Sequence, residues 1–226
     1  MSDLTSVGII VLAMLIQALL QLTPGVFSIW CHYALAKNSK NKVLDLSGYF
    51  AVGIEMVASL MLMVTYFIFI NMPNDEMINW VLAGILVALG LFVFAWYFRK
   101  GAGTELFISR KSAKGFYEKA RTARKKSDIF VLGIVAYVSE LFLILPLMIV
   151  IILQMRNFEV GYQVAILAAY VMAAMTSFGT IRGRFLRGKN LAEIQRTRTK
   201  SKNFYRFLIS SSYMVVAALL VISRFC

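Results

Sequence analysis

Cysteine, histidine and acidic residues are all scarce in this chain. Two cysteines and one histidine among 226 residues provide neither a disulfide framework nor a multi-ligand metal centre. Cys31 and Cys226 lie near opposite ends of the chain, and the topology below sets them on opposite membrane faces, which excludes pairing within one chain. Cys31-His32 has no third ligand close by. Only 11 Asp and Glu stand against 24 Lys and Arg, giving a net charge of +13. No nucleic-acid-binding motif accompanies that excess, and the basic residues are confined to three short segments between apolar runs, so nucleic acid is not the expected partner. Charge is nearly absent from the apolar runs themselves, whereas a soluble fold of this length needs charged faces on its surface helices. The first run begins without a basic n-region and without a cleavage site leading to a soluble domain, so it reads as a retained helix.

What is abundant is hydrophobicity, at 60% of residues and a mean hydropathy of +0.74. The apolar runs reach roughly 20 residues, enough at 1.5 Å per residue to cross about 30 Å of hydrocarbon. Six spans are expected: about 7–30, 46–72, 77–98, 129–155, 160–180 and 204–225. The fold class is therefore an all-α polytopic transmembrane bundle forming one membrane domain over 1–226. Of the 24 Lys and Arg, 22 fall in the segments after the first, third and fifth spans, leaving Arg156 and Arg224 opposite. The positive-inside rule puts those segments in the cytoplasm and both termini outside, in the plasma (bacterial inner) membrane. Anionic lipids are the expected partners of the basic loops, and Lys114 to Arg121 could lie at the interface as an amphipathic stretch or stay solvated.

Six spans divide into halves of three, residues 1–110 and 111–226, which would be inverted repeats because an odd number of spans reverses orientation. Pro24 and Pro146 fall in the first span of each half, and Gly48-Tyr49 and Gly161-Tyr162 open the second spans. Gly84 and Ala88, and Ala165, Ala169 and Ala173, recur at four-residue spacing, which predicts close packing within the protomer, with a homodimer as the alternative.

Ionisable groups inside a bilayer are the informative ones, since each costs at least 2 to 3 kcal/mol near the centre unless paired or hydrated. Glu140, near the middle of the fourth span, and Glu55, a third of the way across the second, are the two carboxylates well inside spans. Either a proton or cation site or a protonated interhelical hydrogen bond fits them. Gln17, Gln21 and Pro24 follow i, i+4, i+7 spacing and share a helix face. Pro24 frees a backbone carbonyl one turn earlier, and Gly25 lets another backbone approach. Pro146 adds a second break near Glu140, and paired broken helices point to a midplane site. Intramembrane His, Ser-Lys and paired-Asp arrangements are missing, so neither an enzyme nor a cofactor is expected.

The Thr23-Pro24-Gly25 step, the six-span layout with a basic central loop, the run Leu89-Gly90-Leu91-Phe92 and Gly133 opening a proline-bearing fourth helix resemble the LysE superfamily of small membrane exporters. That resemblance implies secondary transport, with export favoured, of an amino acid, small polar solute or ion. Val26 and Leu145-Pro146 stand where those exporters tend to have a second proline and an Asn-Pro pair. Thiol electron carriers of similar plan need a cysteine in the fourth helix, which this chain lacks. A non-transporting accessory subunit and an ion channel remain the alternatives.

Overall fold

A computed structural model describes residues 3–21, 40–72, 76–97, 115, 118, 119, 122, 123, 125–187 and 201–223, and these contain helices and no strand. The helices are α1 (Asp3–Gln21), α2 (Lys40–Phe69), α3 (Glu76–Phe92, ending in a π-helical turn Val93–Tyr97), α4 (Lys126–Val138), α5 (Leu141–Met155), α6 (Val160–Ala174), α7 (Thr176–Leu186) and α8 (Lys202–Ile222). Among the described residues, Leu46–Phe69, Met77–Ala95 and Asn203–Ile222 are long and apolar enough to cross a membrane. The α4–α5 pair makes a fourth such span if its 69° bend is counted within one crossing, while Leu4–Leu20 and Val160–Ala174 are shorter apolar helices.

The distribution of apolar side chains is that of a bundle made for lipid. Leu4 (82% exposed), Phe67 (73%) and Met172 (74%) point outwards, together with long stripes on α2, α3 and α8. A soluble monomer rarely exposes apolar patches of more than a few hundred Å². The interior is apolar as well. Helix α5 is buried from Val150 to Met155 without interruption, as expected of a helix surrounded by others. It packs against α1, α2, α3 and α6.

Three sets of contacts set helix direction. Lys126 Nζ lies 5.0 Å from the centre of the Tyr49 ring at one end of α2, and Arg156 Nη1 donates to Met72 O at 2.9 Å at the other, so α2 runs parallel to the α4–α5 pair. Ser210 Oγ donates to Gly90 O at 2.7 Å, and the Arg206 guanidinium stands 5.1 Å over the Phe94 ring, which makes α3 and α8 antiparallel. Gln17, near the end of α1, reaches Tyr137 in the last turn of α4, while α1 packs along α5, α6 and α8. The rest of α1 therefore runs antiparallel to α5.

The tightest crossing joins α2 and α4. A Cβ on Gly53 would strike Phe130 O and stand 3.2 Å from Ile134 N, and one on Gly133 would strike Phe50 O and stand 3.2 Å from Ile54 N. The two contacts are reciprocal, and so are the sequences that make them, Phe50-Ala51-Val52-Gly53-Ile54 and Phe130-Val131-Leu132-Gly133-Ile134. Backbones this close suit Cα–H···O contacts, each worth about 0.5–1 kcal/mol.

Two sequence expectations change here. The fourth span does break, but at Ser139–Glu140 and not at Pro146, which lies inside α5. Ser139 N donates to Val135 O (3.0 Å), Ser139 Oγ to Ala136 O (2.7 Å) and Glu140 N to Tyr137 O (3.1 Å), which closes off the last turn of α4. Glu140 O then accepts from Leu143 N and Ile144 N, starting α5 in a new direction. The second change concerns the small residues. Gly84, Ala88, Ala165 and Ala169 are exposed on the outside of the bundle and Ala173 is half-buried, whereas Gly53, Gly133 and Gly90 are the described glycines that meet another helix's backbone closely. Four-residue spacing marks a face without saying what covers it. The fifth span also ends its first helix at Ala174, and α7 continues after Met175.

Candidate functional site

The break between α4 and α5 carries the most buried charged residue described, Glu140, at 1% exposure. Its position follows from the local sequence: it is the last residue before α5 turns, so its carboxylate stands at a helix N-terminus, where the macrodipole favours negative charge. One turn earlier, Tyr137 is fully buried. Its hydroxyl accepts from Gln17 Nε2 at 3.3 Å and lies 3.5 Å from the hydroxyl of Tyr170 on α6. On the other side Tyr213 of α8 donates to Leu143 O at 2.8 Å. That carbonyl neighbours the one at Phe142, whose helical donor is missing because residue 146 is proline. Both Tyr137 and Tyr213 lie within electrostatic reach of Glu140.

Four helices and the α4–α5 break thus converge on one buried polar cluster: Gln17 from α1, Tyr137 from α4, Glu140 from the break, Tyr170 from α6 and Tyr213 from α8. The cluster is rich in acceptors, and Gln17 Oε1 is buried without a hydrogen-bond partner. Among the described buried residues there is no Lys or Arg. Such a site suits a proton, a cation or a group that donates hydrogen bonds, and disfavours an anion. No group of three or more potential metal-ligating side chains occurs among the described residues.

Of the residues singled out from the sequence, Gln17 and Glu140 are brought into this cluster and Pro146 lies within α5, half-buried. Glu55 is not brought in, because its side chain is exposed on the outer face of α2 between Val52 and Met56. Gln21 is the last residue of α1 and its side chain lies outside the described residues, as do Pro24 and Gly25. The three tyrosines were not legible as site residues, since tyrosine in a membrane sequence reads first as an interfacial residue. Their signal was depth: each lies well inside an apolar run of the sequence, where a hydroxyl needs a partner.

A second polar cluster has a different character. Gln163 Nε2 donates to Phe158 O at 2.8 Å and to Arg156 O at 3.4 Å, and its Oε1 accepts from Tyr66 at 3.0 Å. Both ends of the amide are occupied, so it ties the α5–α6 turn to α2. No family model, no curated protein and no solved structure matches this chain.

Proposed function

We propose that this protein is a secondary transporter that moves a small polar solute, amino acid or ion across the cytoplasmic membrane, with the cluster around Glu140 as its binding site. The observation that carries the reading is a buried carboxyl at a 69° helix break, within electrostatic reach of Tyr137 and Tyr213, with Gln17 and Tyr170 joined to the same cluster through the Tyr137 hydroxyl. A dry structural bundle gains nothing from retaining such a group, since replacing buried polar partners together by apolar ones is often neutral or stabilising. A broken helix frees main-chain dipoles at mid-membrane, which is how transporters build ion and substrate sites. The absence of buried Lys and Arg among the described residues favours a solute bearing positive charge or donor groups.

The architecture proposed with it is six spans in two inverted halves. The 22-to-2 split of Lys and Arg supports cytoplasmic basic loops and external termini. The resemblance to the LysE superfamily favours export. Gln21, Pro24 and Gly25 are proposed members of the same site on sequence grounds, and Glu55 serves at most as a relay group.

The test is Glu140→Gln in proteoliposomes, assayed with a panel of amino acids and metal cations between about pH 5 and 8. The substitution keeps shape and hydrogen bonding while removing the carboxylate. Coupled transport is expected to be lost in a protein that remains folded and inserted. Normal transport by Glu140→Gln would remove Glu140 from the mechanism.

A further inference from the structure

Gln154 is buried at the far end of α5, at 6% exposure, and its Oε1 has no hydrogen-bond partner. It is not the only polar residue hidden at that level. Ser6 of α1, Asn79 of α3 and Ser223 after α8 are also buried. Counting along the helices carries all four a similar distance from the Glu140 cluster. Gln17 and Ser6 are 11 residues apart on α1, and Leu143 and Gln154 are 11 apart on α5. Tyr213 and Ser223 are 10 apart, and Gly90, which contacts Ser210, is 11 residues from Asn79. With α1 and α3 antiparallel to α5 and α8, each step leads away from the Glu140 cluster towards the end marked by Arg156 and Met72. Each covers about 16 Å at 1.5 Å per residue.

The layer between the two levels is apolar and closed. Ala13, Leu86, Leu147, Ile151 and Val216 are all fully buried within it. The same four helices that surround the Glu140 cluster or pack beside it therefore carry a second polar level beyond a hydrophobic barrier. A buried glutamine with an open acceptor is costly in a dry bundle. It is useful where a hydrogen-bond donor passes.

We infer that Gln154, with the buried polar groups Asn79, Ser6 and Ser223 at a similar level on other helices, is a second binding station on the translocation route, taking the same cationic or donor-bearing group after it crosses the barrier. This rests on the transport reading above and adds to it the route and its direction along α5. The chemistry required of the ligand is an ammonium, amide or hydroxyl donor, or a hydrated cation, because the open atom is an acceptor.

The test uses full-length protein in proteoliposomes, with Cys31→Ser and Cys226→Ser to remove native thiols. Gln154→Cys is compared with Ile151→Cys, which lies inside the barrier. The probes are a trimethylammonium methanethiosulfonate and its sulfonate counterpart. Gln154→Cys should be modified while Ile151→Cys stays inert, and the cationic reagent should react about tenfold faster. Equal reactivity at both positions, inertness of Gln154→Cys, or preference for the anionic reagent overturns the inference. Thermal unfolding of Gln154→Leu is the second measurement. If Gln154 is merely a dry packing residue, removing its unmet acceptor raises Tm by about 3 °C or more, which also overturns the station. An unchanged or lower Tm supports it. These outcomes are independent of Glu140→Gln: loss of transport there with an inert Gln154→Cys leaves the central site standing and removes the second station alone.

Discussion

Gly53 and Gly133 occupy equivalent places in two copies of the same short pattern, and each accepts the other helix's backbone where a side chain would be. Gly53 meets Phe130 O and Gly133 meets Phe50 O, three residues before the partner glycine in both cases. The α4 helix that hands the chain to Glu140 is thus held against α2 by main-chain contact. A methyl group at either position forces the helices apart. Gly53→Ala and Gly133→Ala are each expected to destabilise by about 1–3 kcal/mol. Thermal unfolding in detergent checks this, with Gly161→Ala, where nothing lies within 4 Å, as the unaffected control.

Tyr137 links two helices through one hydroxyl, touching both Gln17 and Tyr170. Tyr137→Phe removes that oxygen with almost no change in shape. Stability should fall by about 1 kcal/mol or a little more, because Gln17 loses its partner inside a buried site. Transport should fall further than stability does, if the hydroxyl also serves the bound solute. Equal activity per folded molecule in Tyr137→Phe and wild type would make the tyrosine purely structural.

Gln163 predicts the opposite combination. Its amide is occupied at both ends by Tyr66, Phe158 and Arg156. Gln163→Leu strands the Tyr66 hydroxyl and two turn carbonyls, for an expected cost of about 1–3 kcal/mol. Activity per folded molecule is expected to stay at the wild-type value. A selective loss of transport at unchanged Tm would instead assign Gln163 to the route.

The exposed carboxyl of Glu55 supplies a comparison within the same protein. Lying on the outer face of α2, it can be replaced without disturbing the Glu140 cluster. Glu55→Gln is expected to transport at least half as fast as wild type, an order-of-magnitude margin set by the small size of surface effects. Activity as low as that of Glu140→Gln would bring Glu55 into the mechanism.

Orientation rests on charge alone and has its own measurement. Impermeant thiol labelling of single cysteines, after Cys31→Ser and Cys226→Ser, should modify Glu159→Cys from outside intact cells and leave Lys114→Cys untouched. Ready labelling at 114 reverses the topology.

The sequence by itself determined that this protein carries helices apolar enough for a membrane, and it singled out two members of the buried polar cluster. Apolar runs are local, so their length and lack of charge mark helices made for lipid before any packing is known. Gln17 and Glu140 stand out for the same reason, as polar groups where each carries a desolvation cost. The pattern Phe-x-x-Gly-Ile at residues 50–54 and 130–134 is also present in the sequence, but nothing marks it as a repeat apart from the crossing of α2 and α4. What the tertiary structure decided was azimuth. Helical periodicity says which residues share a face, but which face meets which neighbour depends on contacts between segments far apart in the chain. Glu55 and Glu140 are alike on paper, yet packing turned one outwards and buried the other. The small residues of α3 and α6 were left facing out, while Tyr137, Tyr170 and Tyr213 were drawn together from three helices. The bend at Ser139–Glu140 follows the same logic. Proline's missing donor pointed to residue 146, but the turn formed where Ser139 and Glu140 could close one helix and open the next beside Gln17.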